Sequence, residues 1–209
     1  YDTLLLLTLL HMGMGPLIDV NTSTPPACIS ADTTELLQMT FCVMFQITHS
    51  QRPEVLRKLV VGTHVKEVKL GEVQVSIKHA FKTGNHFPSL NLKLTHQTGL
   101  LASLLIRFGT ETKRVMSRWN LEDGRFNATI PAAPYLISNT RGCTYTSSSF
   151  ATRFKTFTAG SVARLPFTPN VLRHVLSDEL HAAMPPTSET HHAISTILSH
   201  SVRTNMEYY

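Results

Sequence analysis

Apolar and polar positions alternate along residues 36–49. Met39, Phe41, Val43, Phe45 and Ile47 fall in one phase, and Thr40, Cys42, Met44, Gln46 and Thr48 in the other. A period of two predicts a strand with one strongly apolar side. The period changes after Ser50-Gln51-Arg52-Pro53: Val55, Leu56, Leu59 and Val60 share a helical face, and Pro53 suits a first helical turn. Alternation returns over 66–81, with Val68 and Leu70 in one phase and Val73, Val75, Ile77, His79 and Phe81 in the other. The phase switches at Gly71-Glu72, which predicts a turn or bulge there. Leu90, Leu92 and Leu94 alternate against Asn91, Lys93 and Thr95 as a further strand. The run Leu100–Phe108 fits helix or strand equally.

Further on, Trp119 and the turn Glu122-Asp123-Gly124 precede alternating Phe126, Ala128 and Ile130. Residues 143–158, rich in Thr, Ser and Phe, read as one or two strands. Thr168-Pro169 then opens a helix whose stripe is Val171, Leu172, Val175, Leu176, Leu180 and Ala183. Pro185-Pro186 ends it, and a second helix from Ser188 carries Ile194, Ile197, Leu198 and Val202. Strands and helices are segregated rather than interleaved. The class expected is therefore α+β: a strand-rich core, as an antiparallel sheet or sandwich, with two C-terminal helices and an irregular apolar N-terminal segment. The boundaries expected are an apolar arm and Pro-rich linker over 1–34 and one α+β domain over 35–209, β-rich over 35–160 and helical over 168–204.

Length and composition, 209 residues with 42% apolar, exclude a disordered tail and leave room for a core. Hydroxyls are abundant, with 26 Thr and 17 Ser, and charged residues are sparse at 16%. The three cysteines, Cys28, Cys42 and Cys143, are too few for a disulfide framework and fit a reducing compartment, despite sequons at Asn21 and Asn127. An intracellular or virion-associated rather than secreted protein is expected. The sequence starts at Tyr1 without Met, which reads as a processed or incomplete start. The Leu-rich run at 4–10 is short of the ~20 residues of a membrane span and has no basic residue before it, so it reads as a packing or partner-binding element.

Charge changes this picture most. The first 51 residues hold no Lys or Arg but four acids, Asp2, Asp19, Asp32 and Glu35. From Gly124 to Ser177 there is no acid at all, while Arg125, Arg141, Arg153, Lys155, Arg164 and Arg173 are interleaved with aromatics such as Tyr135, Phe150 and Phe154. Cations attract phosphates by releasing counterions, and aromatic faces stack on unpaired bases. These six are the candidate nucleic-acid or phosphate contacts, and the partners expected are RNA or a nucleocapsid, or an anionic lipid surface. The bland alternative is a solvated basic face over core aromatics. The acidic, apolar segment 1–20 is expected to contact a neighbouring subunit of a homo-oligomer.

Catalytic patterns are scarce. There is no phosphate loop, no dinucleotide fingerprint and no G-x-S-x-G elbow. His174, His181, His191 and His192 cluster in sequence, but H-E-x-x-H and C-x-x-C are missing, so no metal site and no cofactor is expected. His49, His79 and His96 read as core imidazoles at strand ends. Cys143 follows Arg141, a cation able to activate a thiol, and neighbouring Asp178-Glu179 would point apart on a helix.

Residues 41–53, Phe-Cys-Val-Met-Phe-Gln-Ile-Thr-His-Ser-Gln-Arg-Pro, as a strand ending in Ser-x-Arg-Pro before a helix, resemble the start of the globular core of rhabdovirus matrix proteins. The resemblance covers 13 of 209 residues, with no late Pro-Pro-x-Tyr motif, and implies a small basic assembly protein. The function expected is thus a non-enzymatic structural protein of matrix or coat type that self-associates and binds nucleic acid or an anionic membrane surface. An RNA-binding subunit of a large ribonucleoprotein, such as an organellar ribosome, is the alternative, and an enzyme dependent on Cys143 or a histidine is the third.

Overall fold

Residues 36–49 do not form a strand. In the computed structural model they belong to a 19-residue helix, α1 (Ala31–His49). The structure describes residues 31–78, 89–109, 119–120, 125–126, 135–139, 142–160, 165–184 and 187–198. Every side chain from Leu37 to Gln46 is buried, polar ones included. A helix enclosed on all sides has no polar stripe, so its composition carries no 3.6-residue period. Its buried polar residues, Gln38, Thr40 and Gln46, happened to fall at even positions and imitated the wet face of a strand. Two of them are satisfied locally or across the fold: Thr40 Oγ1 donates to Leu36 O at 2.8 Å, and Gln38 Oε1 accepts from Ser138 N at 2.9 Å. The strand on which the matrix-protein resemblance rested is therefore a helix.

After α1 come α2 (Pro53–Arg57), then β1 (Val65–Lys69), β2 (Glu72–Lys78) and β3 (Ser89–Leu94). These three strands form one antiparallel sheet in the order β1-β2-β3. The phase switch read from the sequence is a tight turn at Leu70-Gly71, where Gly71 has φ +78, next to a register irregularity between Glu67 and Lys69. The sheet's inner side, Val65, Val73, Val75, Ile77 and Leu94, is buried. Helix α3 (His96–Leu104) packs on that side and runs into a π-helical turn, Leu105–Gly109. The ambiguous run 100–108 is thus helical. His96 is exposed at the start of α3 rather than in the core, and His79 lies outside the described residues.

Two short strands, β4 (Trp119–Asn120) and β5 (Arg125–Phe126), pair antiparallel, and the turn expected at Glu122-Asp123-Gly124 lies outside the described residues. Residues 143–158, expected as strands, form α4 (Ser147–Gly160) instead. Thr146 caps it, its Oγ1 accepting from Ser149 N at 3.2 Å, and Phe150 and Phe154 stack along its buried side with centroids 6.1 Å apart. The expected C-terminal pair is present as α5 (Pro169–Ala183) and α6 (Ser188–Leu198). Thr168 caps α5, its side chain accepting from Val171 N at 3.3 Å. The α+β class therefore stands, with more helix and less strand than the alternation implied. Helix α1 is the hub: α3, the π-turn and α5 all pack against it. Among the described residues no helix is long and apolar enough to cross a membrane.

Candidate nucleic-acid interface

The joint between α1 and α2 is built almost entirely of polar groups held inside the fold. The chain leaves α1 through Ser50, which adopts φ +47, an uncommon conformation for a residue with a side chain. It is held there by two bonds to one carbonyl: Ser50 N and Oγ donate to Gln46 O at 2.9 and 3.2 Å. Gln51 is buried, and its Nε2 donates to His49 O at 2.9 Å. Arg52 follows with φ −60 and ψ 141, the extended conformation that a succeeding proline enforces. Pro53 then starts α2.

This joint fixes the base of the Arg52 side chain. Its Nε is buried and has no hydrogen-bond partner among the described residues. The amide of Gln46, one turn before Ser50, is wholly buried with neither its oxygen nor its nitrogen bonded among those residues. Burial holds the His49 imidazole below its ordinary pKa, so the ring is kept neutral. Burying an unpaired polar atom costs about 1–3 kcal/mol, and such atoms are uncommon in native folds. A guanidinium nitrogen held this way is an unmet demand for an acceptor.

Arg57, at the other end of α2, donates through Nη1 to the backbone oxygen of Tyr145 at 2.9 Å, while its Nε is buried without a partner among the described residues. The bond ties α2 to the segment leading into α4. Tyr145 is itself buried, and burial, with the nearby Glu35 carboxylate second, pushes its phenol up to about 12.

Of the six cations expected from the sequence, the three whose side chains are described, Arg153, Lys155 and Arg173, do not share one solvated face. Arg153 Nη2 reaches both oxygens of Glu35 at 2.8 and 2.9 Å, so the acid-free stretch is neutralised here by an acid from α1. Lys155 is exposed two positions along α4. Arg173 is buried on α5 at 7% exposure, within a helix packed on α1. Arg125 lies in β5, opposite Asn120, and only its backbone is described. Arg141 and Arg164 lie outside the described residues. Sequence reasoning passed over Arg52 and Arg57 because they precede the acid-free window. The dipeptide Arg52-Pro53, set between two apolar runs, was the available clue.

The histidine cluster is partly assembled: the rings of His181 on α5 and His191 on α6 lie 5.5 Å apart. Among the described residues no three His, Cys, Asp or Glu side chains are grouped to hold a metal ion. Cys143 is exposed and Cys42 buried, and neither is in a disulfide.

No family model matches this chain. No curated protein matches it either. Among solved structures, one similar chain is the Tn1549 transposon integrase (residues 82–397) in complex with circular intermediate DNA. The two are 13% identical, with a TM-score of 0.39, over 93% of this chain and 64% of that one. The chain thus spans less than two thirds of that protein's length.

Proposed function

We propose that this chain binds nucleic acid through backbone phosphates, with Arg52 as a fixed contact and Lys155 as a solvent-facing one. The observation that carries the reading is Arg52, whose backbone is set by the turn at Ser50-Gln51 and by Pro53, and whose partly exposed side chain has a buried Nε with no acceptor among the described residues. A phosphate oxygen is an acceptor of the right charge and geometry, since Arg offers a planar fork of donors. The excess of cations over acids after residue 51 supports a polyanion rather than an isolated anion.

The test is fluorescence anisotropy with short labelled duplex and single-stranded oligonucleotides at low and raised salt. Binding should weaken steeply with salt, with a slope of about 0.9 per phosphate contact on duplex DNA. Arg52→Ala should weaken it roughly tenfold or more, the worth of a charge-assisted hydrogen bond, and Arg52→Lys should recover only part of the loss. Salt-insensitive binding, or none at low salt, would sink the reading. Light scattering on the same samples reads whether the protein self-associates.

A second reading follows from how deep the guanidiniums sit. Surface cations suffice to bind a polyanion, whereas Arg173 is buried and the Nε of Arg52 is buried too. Cations preorganised in a dry setting are what a phosphoryl-transfer site uses to stabilise developing charge. Denaturing gels of the same incubations separate the two readings: intact, protein-free strands mean binding alone, and cut or protein-linked strands mean phosphodiester chemistry.

A further inference from the structure

We infer that the outer face of the β1-β2-β3 sheet docks on double-helical DNA, with its strands laid in the major groove. The inference rests on the nucleic-acid reading and adds a surface to it that lies apart from the acid-free window. The strand register decides which residues share that face. Lys66 on β1 stands opposite Gln74 on β2, which stands opposite Lys93 on β3, and Ser76 stands opposite Asn91. Directly paired residues point to the same side of a sheet. All five are exposed, while Val65, Val73, Val75, Ile77 and Leu94 are buried on the other side.

The chemistry across this face is ordered. An ammonium sits on each outer strand, and β2 between them carries the uncharged Gln74 and Ser76 together with the Glu72 carboxylate that Lys93 engages. At a strand spacing of about 4.8 Å the two lysine positions are roughly 10 Å apart. The hydrogen bond from Ser76 Oγ to Asn91 Oδ1, 2.7 Å, takes up one lone pair of the amide oxygen and leaves the amide nitrogen as a donor. Charge favours a polyanion here. Glu72 is shared by Lys93 at 2.9 Å and Lys69 at 3.5 Å, and the Lys93 hydrogen bond chiefly holds its carboxyl below the usual range. Glu67 is engaged by Arg107 at 3.0 Å. Two carboxylates thus serve three cations, and Lys66 has no ion pair among the described residues.

The same face says which nucleic acid. Sheets that bind single strands offer aromatic rings on which unstacked bases lie, and no ring stands among these five side chains. A duplex keeps its bases stacked and needs no such platform. Duplex RNA hides its major groove in a deep, narrow cleft, whereas that of B-DNA, about 12 Å wide, admits β-strands and is read by Asn and Gln amides. Lysines about 10 Å apart flanking Gln74 and Asn91 fit that width, with ammoniums toward the two backbones and amides toward the base edges.

The experiment compares a DNA duplex, its single strand and an RNA duplex of the same sequence, using the full chain. The wild type should prefer the DNA duplex. Lys66→Gln with Lys93→Gln should lower duplex affinity at least tenfold and flatten the salt slope by about two. Glu72→Gln should tighten binding, a change of opposite sign that loss of folding does not produce. Thermal melts of the lysine variant should stay within a few degrees of wild type, since Lys66 and Lys93 are exposed, and Glu72→Gln, at a partly covered side chain, is read by the sign of its effect on binding. If these variants bind DNA as wild type does while Arg52→Ala loses affinity, the sheet is not the surface and the nucleic-acid reading stands. Preference for single strands or for RNA overturns the inference alone, and no binding by the wild type overturns both.

Discussion

Gln46 shows how a single residue can disclose a site. Its amide is enclosed with no bonded partner for either atom among the described residues, and that arrangement costs free energy wherever it occurs. Replacing it with leucine, of similar volume, removes the unmet atoms. Gln46→Leu should therefore raise stability by about 1–2 kcal/mol in denaturant melts, and a lowered midpoint would contradict the account. His49, three residues on, packs its ring 5.1 Å from that of Phe45 and is kept neutral by burial. Its folded-state pKa lies below the unfolded value of 6.5, so the unfolded chain binds the extra proton. Its contribution is complete above that pH and is lost as pH falls through it toward the folded value. The melting temperature should drop between about pH 7.5 and 5.5, and His49→Gln should make that drop smaller.

At the scale of elements, the turn joining β1 to β2 is held against α3 by close backbone approach. Gly71 N donates to Ser103 Oγ at 3.0 Å, and a Cβ on Gly99 would run into the Gly71 carbonyl oxygen and sit 2.7 Å from that of Leu94. Backbone cannot give way as a side-chain tip does. Gly99→Ala should cost about 1–3 kcal/mol by overpacking, although alanine is the better helix former. Gly160, at the end of α4, has nothing within 4 Å of a Cβ, so Gly160→Ala is the control and should be close to neutral. Elements with one wet and one dry side were legible in the sequence: β2 and β3 alternate, and α5 shows its stripe and its Thr168-Pro169 start. Helix α1 was not, because enclosure removes the polar stripe that marks a helix. Helix α4 had its marker in Phe150, Phe154 and Phe157 at i, i+4 and i+7, obscured by the strand propensity of the threonines between them.

For the whole molecule, charge counted along the chain singles out six cations, and the fold sets those it describes in unlike surroundings. An acid-free window in sequence is not an acid-free region in space, since Glu35 crosses from α1 to meet Arg153. Arg173 follows the apolar Leu172 into the interior. Conversely, Lys66 and Lys93 are 27 positions apart and meet on one face only because β2 lies between their strands. Linear counting cannot anticipate a register.

The enclosure of α1 has a consequence for how the protein is made. Among the described elements α1 is the first to be synthesised, and α5, which completes its cover, is nearly the last. At a synthesis rate of about 5–20 residues per second, α1 waits roughly ten seconds for that partner. Throughout that interval Phe41, Phe45 and their neighbours have no finished core to enter, so the nascent chain carries this apolar helix incompletely covered until α5 emerges.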